Sequence, residues 1–563
     1  MRVGKFSTFL LLILFLFNSL SAQEKPILRA MEKELQRSME GLKNAGKEPL
    51  FFIQYECLDE ERLRLSASLG ALTQEDYGRE RNLSVDLRVG TPQLDNTHQL
   101  RGSYGMGVYE GLTYFVEPIP VEDDEFAIRD AIWRATDREF KKAQERIMKI
   151  KAERETKVAE EDPSPDFSPA PKEVFIGDEV RLSLNKAFWI SKIRELSKIF
   201  KSHPWILSSS ISLTATAQNR YIVNSEGTKI LEGITRYNLN IYAETKAQDG
   251  MRLYLTKPFF SFTEKDLPSE KEILKAIESL INELSSLRNA PLAEPYSGPA
   301  ILMNRAAGVF FHEIFGHRIE GHRQKLEGEG QTFKDKVGKK VLPDFISVYD
   351  DPTMREFRKK ALNGHYRYDN EGVRAQRVVV VENGILKNFL MGRSPIQGFP
   401  NSNGHGRRQI GYKPVARQGV LFIESKNEIP FEQLKKMLIE ECKRQNKPYG
   451  LIFEDIAGGF TVTERGFVQA FNVTPLLVKK LYPDGKEEVV RGVNIVGTPL
   501  ASFSKIIATG NDYEVFNGTC GAESGGVPVS AISSSILTTE IEVEKKIKEQ
   551  EKPPILPSPL EKK

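Results

Sequence analysis

The first half of the chain switches between helical periodicity and strand-like alternation of apolar and polar residues. Apolar residues recur at helical spacing from Pro26 to about Gly46, which predicts an amphipathic helix. Three strand-like stretches between residues 50 and 90 predict a meandering antiparallel sheet. A long charged helix is predicted from about Glu125 to Glu160, and the Pro/Ser/Asp segment that follows is typical of a flexible loop.

A second helix and a second run of strands come next. The turns at 225–227 and at Asp249-Gly250 predict hairpins. Another helix begins with a capping box formed by Ser269 and Glu272. Three prolines and a glycine within residues 288–300 then mark the clearest domain boundary in the chain.

The second half consists mostly of strand-like segments and turns. Asn383-Gly384 predicts a hairpin, and two helices are expected, one around residues 302–323 and one around Phe431 to Arg444. The fold class is therefore α+β in two domains, an N-terminal α/β layer domain and a β-rich C-terminal domain that carries the 302–323 helix.

The domain limits follow from these patterns. Residues 1–22 are predicted to be a signal peptide, 23–295 the N-terminal domain with its charged helix and Pro-rich loop near 125–175, and 296–545 the C-terminal domain. The charged, Pro-rich end, 546–563, is predicted to be disordered.

The extreme N-terminus has the pattern of an export signal. Arg2 and Lys5 precede an apolar run from Phe9 to Phe17, and small residues follow before the first acidic residue. We expect a periplasmic or secreted protein without a stable membrane span after cleavage, because no later apolar run is long enough to cross a bilayer. The alternative is an uncleaved membrane anchor.

Composition narrows the range of functions. In 563 residues, 80 Lys and Arg balance 77 Asp and Glu to give a net charge of +3, so bulk charge provides no reason to bind nucleic acid. The chain has three cysteines, too few for a disulfide-built scaffold. At least one thiol is left over in an oxidising compartment, and a coordinated metal would occupy it.

The motif that carries chemistry is His312-Glu313-x-x-x-His317. Two histidines four residues apart lie about 40° apart around a helix and share one ion, whereas five residues separate them by about 140°. A π-bulge would bring the rings back together, and Gly316 is where the helix deforms most easily. The alternative is an ordinary buried helix whose histidines only satisfy hydrogen bonds.

A catalytic zinc site needs three protein ligands and a carboxylate base. Glu313 is the natural base because it adjoins the first histidine. Two candidates remain for the third ligand, His322 and Cys520. Cys520 lies between Gly518 and Gly521, so the backbone there can approach closely.

Four blocks together resemble the TldD/PmbA family of metallopeptidases, specifically its metal-bearing TldD type. They begin with HEIFGHRIEGH and end with NGTCGAESGGVPVS, and they lie in order within residues 300–540. The resemblance implies that His312, His317 and Cys520 bind zinc and that Glu313 is the base. It also implies a dimer, either of identical chains or with a family partner that lacks the metal motif. Members of this family are often cytoplasmic, so the predicted export signal is a departure from the family pattern.

Several other residues are candidates for substrate or accessory roles. The resemblance leaves His322 as an accessory ligand, a substrate contact or a surface residue. His405 and Arg407, with Arg408, lie in a Gly-rich loop and are candidates for binding an oxyanion or a substrate carboxylate, against the alternative of a solvated loop. Further candidates without an assigned place are Asp369, Glu371 and Arg374, and four glycines are expected to let a peptide run beside an edge strand, Gly458, Gly459, Gly525 and Gly526.

The resulting prediction is a zinc metallopeptidase that hydrolyses peptides or unfolded protein segments, with water activated by zinc and Glu313. Two rival functions stay open. One is a serine hydrolase using Ser524, although Ala522 replaces the first glycine of the nucleophile-elbow motif. The other is a secreted peptide-binding or assembly protein with a structural metal, for which His322 would close the zinc shell as a fourth ligand.

Overall fold

A computed structural model describes residues 25–100, 113–155, 162–326, 328–461, 463, 471–546 and 554–561. The predicted signal peptide lies outside the described residues, and so does half of the predicted disordered tail, 547–553 and 562–563. None of the helices in the described part is both long and apolar enough to cross a membrane.

Within the described residues, the N-terminal half builds one sheet of eight strands in the order β3-β2-β1-β6-β7-β5, with β4 paired to β2 and β8 to β7. All pairs are antiparallel except β5 with β7. The strands are β1 (Leu50–Ser68), β2 (Ala71–Thr91), β3 (Leu94–Asp95), β4 (Glu117–Pro118), β5 (Val174–Ile176), β6 (Ser208–Asn224), β7 (Lys229–Lys246) and β8 (Arg252–Ser261), and the helices are α1 (Pro26–Leu42), α2 (Glu125–Glu155), α3 (Lys186–Ser197) and α4 (Glu270–Asn289).

The four helices cover one face of this sheet because alternate residues of each strand point to the same side. On β1, Ile53 and Cys57 are buried in the cluster that α1 and α2 close. Further along the same face, Leu63 and Leu65 are buried under α3 and α4. The opposite face near the start of β1 is left for the C-terminal half.

Two of the three strands predicted between residues 50 and 90 are a single strand, β1. The charged residues in its middle indicated a break, but they are paired across the sheet. Asp59 accepts hydrogen bonds from Arg79 Nε and Arg81 Nε of β2, both at 3.0 Å. Neutralised charges are compatible with a continuous ladder, so the strand does not end there.

The charged helix and the segment after it also differ from expectation. α2 ends at Glu155, and residues 156–161 lie outside the described part. Phe126 and Trp133, expected on the apolar stripe, are exposed by 79% and 49%. The Pro/Ser/Asp segment has little regular structure but is packed rather than flexible, since Phe167 is buried under the Arg393 guanidinium, 3.9 Å from its ring centre.

Among the described residues of the C-terminal half, a six-stranded sheet has the order β14-β13-β10-β17-β25-β24, and an eight-stranded sheet has the order β18-β23-β26-β22-β20-β19-β9 with β21 on β20. β9 pairs with both β19 and β26, which closes five strands into a ring. The strands are β9 (Tyr296–Leu302), β10 (Ile346–Asp350), β11 (Glu356–Phe357), β12 (Lys360–Ala361), β13 (Val378–Glu382), β14 (Ile385–Leu386), β15 (Gly406–Arg407), β16 (Val415–Ala416), β17 (Val420–Ser425), β18 (Glu428–Ile429), β19 (Gly450–Thr461), β20 (Phe471–Leu481), β21 (Glu487–Val490), β22 (Val493–Gly497), β23 (Ile506–Gly510), β24 (Glu514–Ala522), β25 (Gly525–Ser533) and β26 (Ile536–Lys545), and the helices are α5 (Asn304–Ile314), α6 (Phe431–Arg444) and α7 (Pro499–Ser504).

α5 is buried between the two sheets. Phe310 packs against Phe471 of β20 with ring centres 5.9 Å apart, and Gly308 lies against Ala531 of β25. Elsewhere in this half, α6 has the predicted limits, and Asn383 and Gly384 form the predicted hairpin turn with φ of 50° and 79°. Both values match a two-residue turn that requires positive φ.

A buried polar interface joins the two halves. Glu56 of β1 accepts two hydrogen bonds from the Arg408 guanidinium, at 2.9 and 2.6 Å, through its Oε2. Its other oxygen accepts from Asn370 Nδ2 at 2.7 Å, and Gln54 Nε2 donates to the Asn370 carbonyl at 2.7 Å. The sheet of the first half thereby fixes the loops next to the site in the second half.

We predict that Glu56→Gln destabilises the protein by about 3–5 kcal/mol, because it leaves the buried Arg408 guanidinium without its counter-charge. Urea denaturation measures the loss. Lys141→Met, which breaks the exposed pair with Asp137, is the control and should cost less than about 0.5 kcal/mol. Equal effects of the two variants would contradict the importance of this interface.

Candidate metal centre

The histidine motif lies where α5 ends. The last α-helical hydrogen bond runs from Phe315 N to Phe311 O at 3.0 Å, and a 3-10 turn follows over Gly316–Arg318, with Arg318 N donating to Phe315 O at 2.9 Å. The prediction of one helix over 302–323 was therefore wrong, and so was the π-bulge. The tighter turn achieves the same result, since the rings of His312 and His317 have centres 5.3 Å apart.

Gly316 is needed here for space. A Cβ at this position would lie 1.9 Å from Gln418 Oε1. The Gln418 side chain is buried, and its Nε2 donates to the His312 carbonyl at 3.2 Å. The glycine thus lets a side chain from just before β17 hold the end of α5.

Cys520 comes from the edge strand β24, which lies beside α5. Its Sγ is 3.3 Å from His317 Nε2. One ligand atom each from His312, His317 and Cys520 lies within 4.8 Å of the others, and all three residues are buried. The structure therefore brings together the three residues named from the sequence.

Arg417 holds the β24–β25 turn in place. Its Nη2 donates to the Cys520 carbonyl at 2.8 Å, and its Nη1 donates to Ser524 Oγ at 2.8 Å and to the Gly525 carbonyl at 3.1 Å. The backbone that carries the sulfur is thus tied to a buried guanidinium that the sequence did not single out.

The electrostatics of the group favour a thiolate. Burial raises the pKa of Cys520, but the nearby imidazoles of His317 and His312 outweigh it and hold that pKa well below its ordinary value. Burial lowers the pKa of each histidine, and the negative sulfur outweighs this and raises both. A deprotonated sulfur is the form that binds metal.

Glu313 lies beside these ligands without joining them. One of its carboxylate oxygens is 3.9 Å from His317 Nε2. Burial raises the pKa of Glu313 above its ordinary value, against the opposing effects of both histidines and of a hydrogen bond from the Gly459 backbone. Such a shift brings a carboxylate closer to the range in which it can accept and return a proton near neutral pH.

The residues fit a zinc ion. Two imidazoles and a thiolate are ligands that zinc prefers, and three of them leave a position for water or substrate. Nδ1 of His312 is buried without a hydrogen-bond partner. Within the described part of the chain, this group has three members and no fourth His, Cys, Asp or Glu.

His322 belongs to a neighbouring group with Glu320 and Glu523. This group contains its own fixed cation, because the Arg323 guanidinium donates to Glu320 Oε2 at 2.9 Å and to Glu523 Oε2 at 2.7 Å, and to Glu329 Oε1 at 2.8 Å. His322 Nε2 is hydrogen-bonded to Glu523 Oε1. We assign no second metal here, since the guanidinium already occupies an oxygen of each of these carboxylates.

The other candidates of the Gly-rich loop are engaged in buried contacts. His405 is fully buried, and its Nε2 is 3.1 Å from Asp350 Oδ1. Arg407 donates to the Gln418 carbonyl and stacks 4.6 Å over the Tyr366 ring. The structure places neither side chain in the group around Cys520.

Asp369 stabilises the loop that contains it. Its carboxylate accepts from the backbone N–H groups of Glu371 and Val373, and of Gly406. Burial and the Glu371 carboxylate raise the pKa of Asp369 to about 8. Arg374 is exposed.

Ser524 is not arranged as a nucleophile. Its buried hydroxyl accepts from Arg417, and among the described residues no histidine is hydrogen-bonded to it. The nearby Gly526 N–H donates to Gln409 Oε1 at 3.0 Å, which occupies that part of the turn. Neither feature supports the serine-hydrolase alternative.

Comparison with known proteins relates the C-terminal half to a family of metallopeptidases. Residues 295–545 match the family model described as PmbA/TldA metallopeptidase C-terminal domain. This C-terminal half belongs to the TldD/PmbA family. The resemblance stated from the sequence motifs is thus confirmed.

Individual members of the TldD/PmbA family show how far the similarity extends. A Methanocaldococcus jannaschii protein named metalloprotease is 28% identical over 326 residues, which cover 58% of this chain and 67% of that protein. A Saccharolobus solfataricus protein named zinc metalloprotease TldD homolog is 24% identical over 355 residues, covering 60% and 72%. The fold is similar to TldE from Thermococcus kodakarensis, with a TM-score of 0.58, 13% identity and coverage of 92% of this chain and 100% of that one.

Sequence reasoning missed the residues around the TldD-type motif that hold its ligands. Glu320 stands inside the motif block and Arg323 follows it directly, and their charges close to the histidines were the available signal. Arg417, Gln418 and Glu523 lie about 100 to 200 residues away, where nothing in the local sequence connects them to the histidines.

We predict that Gly316→Ala destabilises the protein by about 1–3 kcal/mol, because the new methyl group displaces the buried Gln418 amide. The cost should shrink when Gln418 is also changed to alanine. Urea denaturation of the two single variants and the double variant measures the coupling. Additive effects would contradict the direct contact.

Proposed function

We propose that this chain is a zinc-dependent metallopeptidase that hydrolyses peptides or unfolded protein segments. The observation that carries the proposal is the group of two imidazoles and one thiolate next to the buried carboxylate of Glu313. The absence of a fourth such ligand among the described residues favours catalysis over a structural metal, for which His322 would have to join the group.

In the proposed mechanism, His312, His317 and Cys520 would hold the ion. Zinc supplies Lewis acidity at such a site. Glu313 accepts a proton from the attacking water and delivers it to the leaving amine. The relatives named metalloprotease and zinc metalloprotease support both the reaction class and the metal.

The strand next to Glu313 suggests how a substrate lies in the site. β19 pairs with β20 over Gly458–Thr461, and β9 pairs only with its beginning, up to Phe453. Gly459 directs its N–H away from β20 to Glu313, and Phe460 is 62% exposed. We propose that an extended peptide runs along this edge with its scissile bond near Glu313. A peptide complex with the chain elsewhere would reject this pose.

The assembly and the location of the protein are proposals as well. A homodimer, or a heterodimer with a family partner, is consistent with the similarity in fold to TldE. Export to the periplasm or medium rests on the leader predicted in residues 1–22. A mature protein that retains this leader would argue against export by cleavage.

Replacing Glu313 with glutamine should retain zinc and abolish hydrolysis. The amide keeps the shape of the side chain but cannot accept the proton, so kcat should fall by about 100- to 10,000-fold. Zinc content by elemental analysis and digestion of a peptide library measure the two effects.

Glu441→Gln on α6 is the matched control. This carboxylate is also buried, but it pairs with Arg444 of the same helix and is far from Glu313 in the sequence. It should keep full activity. Full activity of the Glu313 variant would defeat the assignment of the base.

Cys520→Ser should lose most of the zinc. Serine is not ionised at neutral pH and replaces a direct ligand. The loss of zinc affinity should therefore exceed the decrease of about 10- to 100-fold that is typical when a residue that only supports a ligand is replaced. Zinc titration of the metal-free protein measures it. Cys442→Ser removes another buried thiol, on α6, and should bind zinc normally. Unchanged zinc content in the Cys520 variant would point instead to His322.

A further inference from the structure

The His317 ring is held from both sides. Its Nε2 faces Cys520 Sγ at 3.3 Å, and its Nδ1 lies 3.3 Å from Glu320 Oε2. A neutral imidazole carries one N–H and one lone pair, and a carboxylate only accepts hydrogen bonds. In the neutral ring that binds a metal, donation from Nδ1 to Glu320 therefore leaves the Nε2 lone pair free on the side that faces the sulfur.

Glu320 is itself rigidly placed as an anion. It is completely buried, its Oε2 accepts from Arg323 Nε at 2.9 Å, and its Oε1 is 3.4 Å from Arg417 Nε. Its backbone lies in a parallel bridge with Leu390, between hydrogen bonds from Leu390 N to Ile319 O and from Gly321 N to Leu390 O. Neither the side chain nor the main chain is free to turn away from His317.

The other histidine has no equivalent support. Nδ1 of His312 is buried without a hydrogen-bond partner among the described residues, and the hydrogen bond from Gln418 reaches the backbone carbonyl of His312 rather than its ring. The two imidazoles are therefore held differently, and of these two rings a change at Glu320 acts directly on that of His317 only.

We propose that Glu320 is a positioning residue of the metal centre, which holds His317 in the Nδ1–H tautomer with Nε2 toward the metal. This inference rests on the proposed zinc site. Carboxylates that accept a hydrogen bond from a metal-binding histidine fix the orientation of its ring and raise its basicity. Glu320 also links the histidine to Arg417, which holds the Cys520 turn, so one carboxylate connects two of the three ligands.

The test compares Glu320→Gln with the matched variant Glu329→Gln. Both side chains are buried partners of Arg323, but only Glu320 contacts His317. Zinc affinity of the full chain, measured by competition with a chelator, should fall by about 10- to 100-fold in the Glu320 variant. The Glu329 variant should bind zinc with the affinity of the wild type. Both substitutions should change the Tm of the metal-free protein to the same extent.

Cobalt provides a second readout that a purely structural role would not change. Co²⁺-loaded Glu320→Gln should show altered d–d absorption with its sulfur-to-cobalt band retained, because Cys520 still binds. Unchanged affinity and spectrum in this variant, or an equal loss in Glu329→Gln, would overturn the inference while wild type still binds zinc. A wild-type protein that binds no zinc would overturn the proposed function itself.

Discussion

The site depends on the abrupt end of α5 after Ile314. A continuous α-helix would direct His312 and His317 about 140° apart. The 3-10 turn over Gly316–Arg318 removes this difference, and the lack of a Cβ at Gly316 lets Gln418 pack against the turn. Every proposed function of the motif requires this local change of helix type.

Part of the site could be predicted because its residue types are typical of metal binding and proton transfer. Histidine and cysteine are typical zinc ligands, and a glutamate next to the first histidine is a typical base. The structure brings His312, His317 and Cys520 together, while their role as ligands stays a proposal. His322 and His405 have the same chemistry, yet each faces a carboxylate of its own. Residue type alone does not distinguish these histidines.

The features that the sequence did not predict depend on contacts between distant parts of the chain. β1 continues through Asp59 because arginines of β2 neutralise it, which a local pattern does not reveal. Residues 162–172 have the composition of a flexible loop but bury Phe167 under Arg393. The 3-10 turn was predicted as a π-bulge because spacing shows that a helix must deform but not in which direction. The α+β class, the hairpin at Asn383-Gly384 and the limits of α6 followed from local signals and are confirmed.

The proposed metal centre holds one zinc ion between two imidazoles and a remote sulfur. Crystals of the zinc-loaded protein, measured on both sides of the zinc absorption edge, test it most directly. We expect one strong anomalous peak in contact with His312, His317 and Cys520, and no peak beside Arg323. A peak coordinated by His322 and Glu523, or none at all in fully loaded crystals, would contradict it.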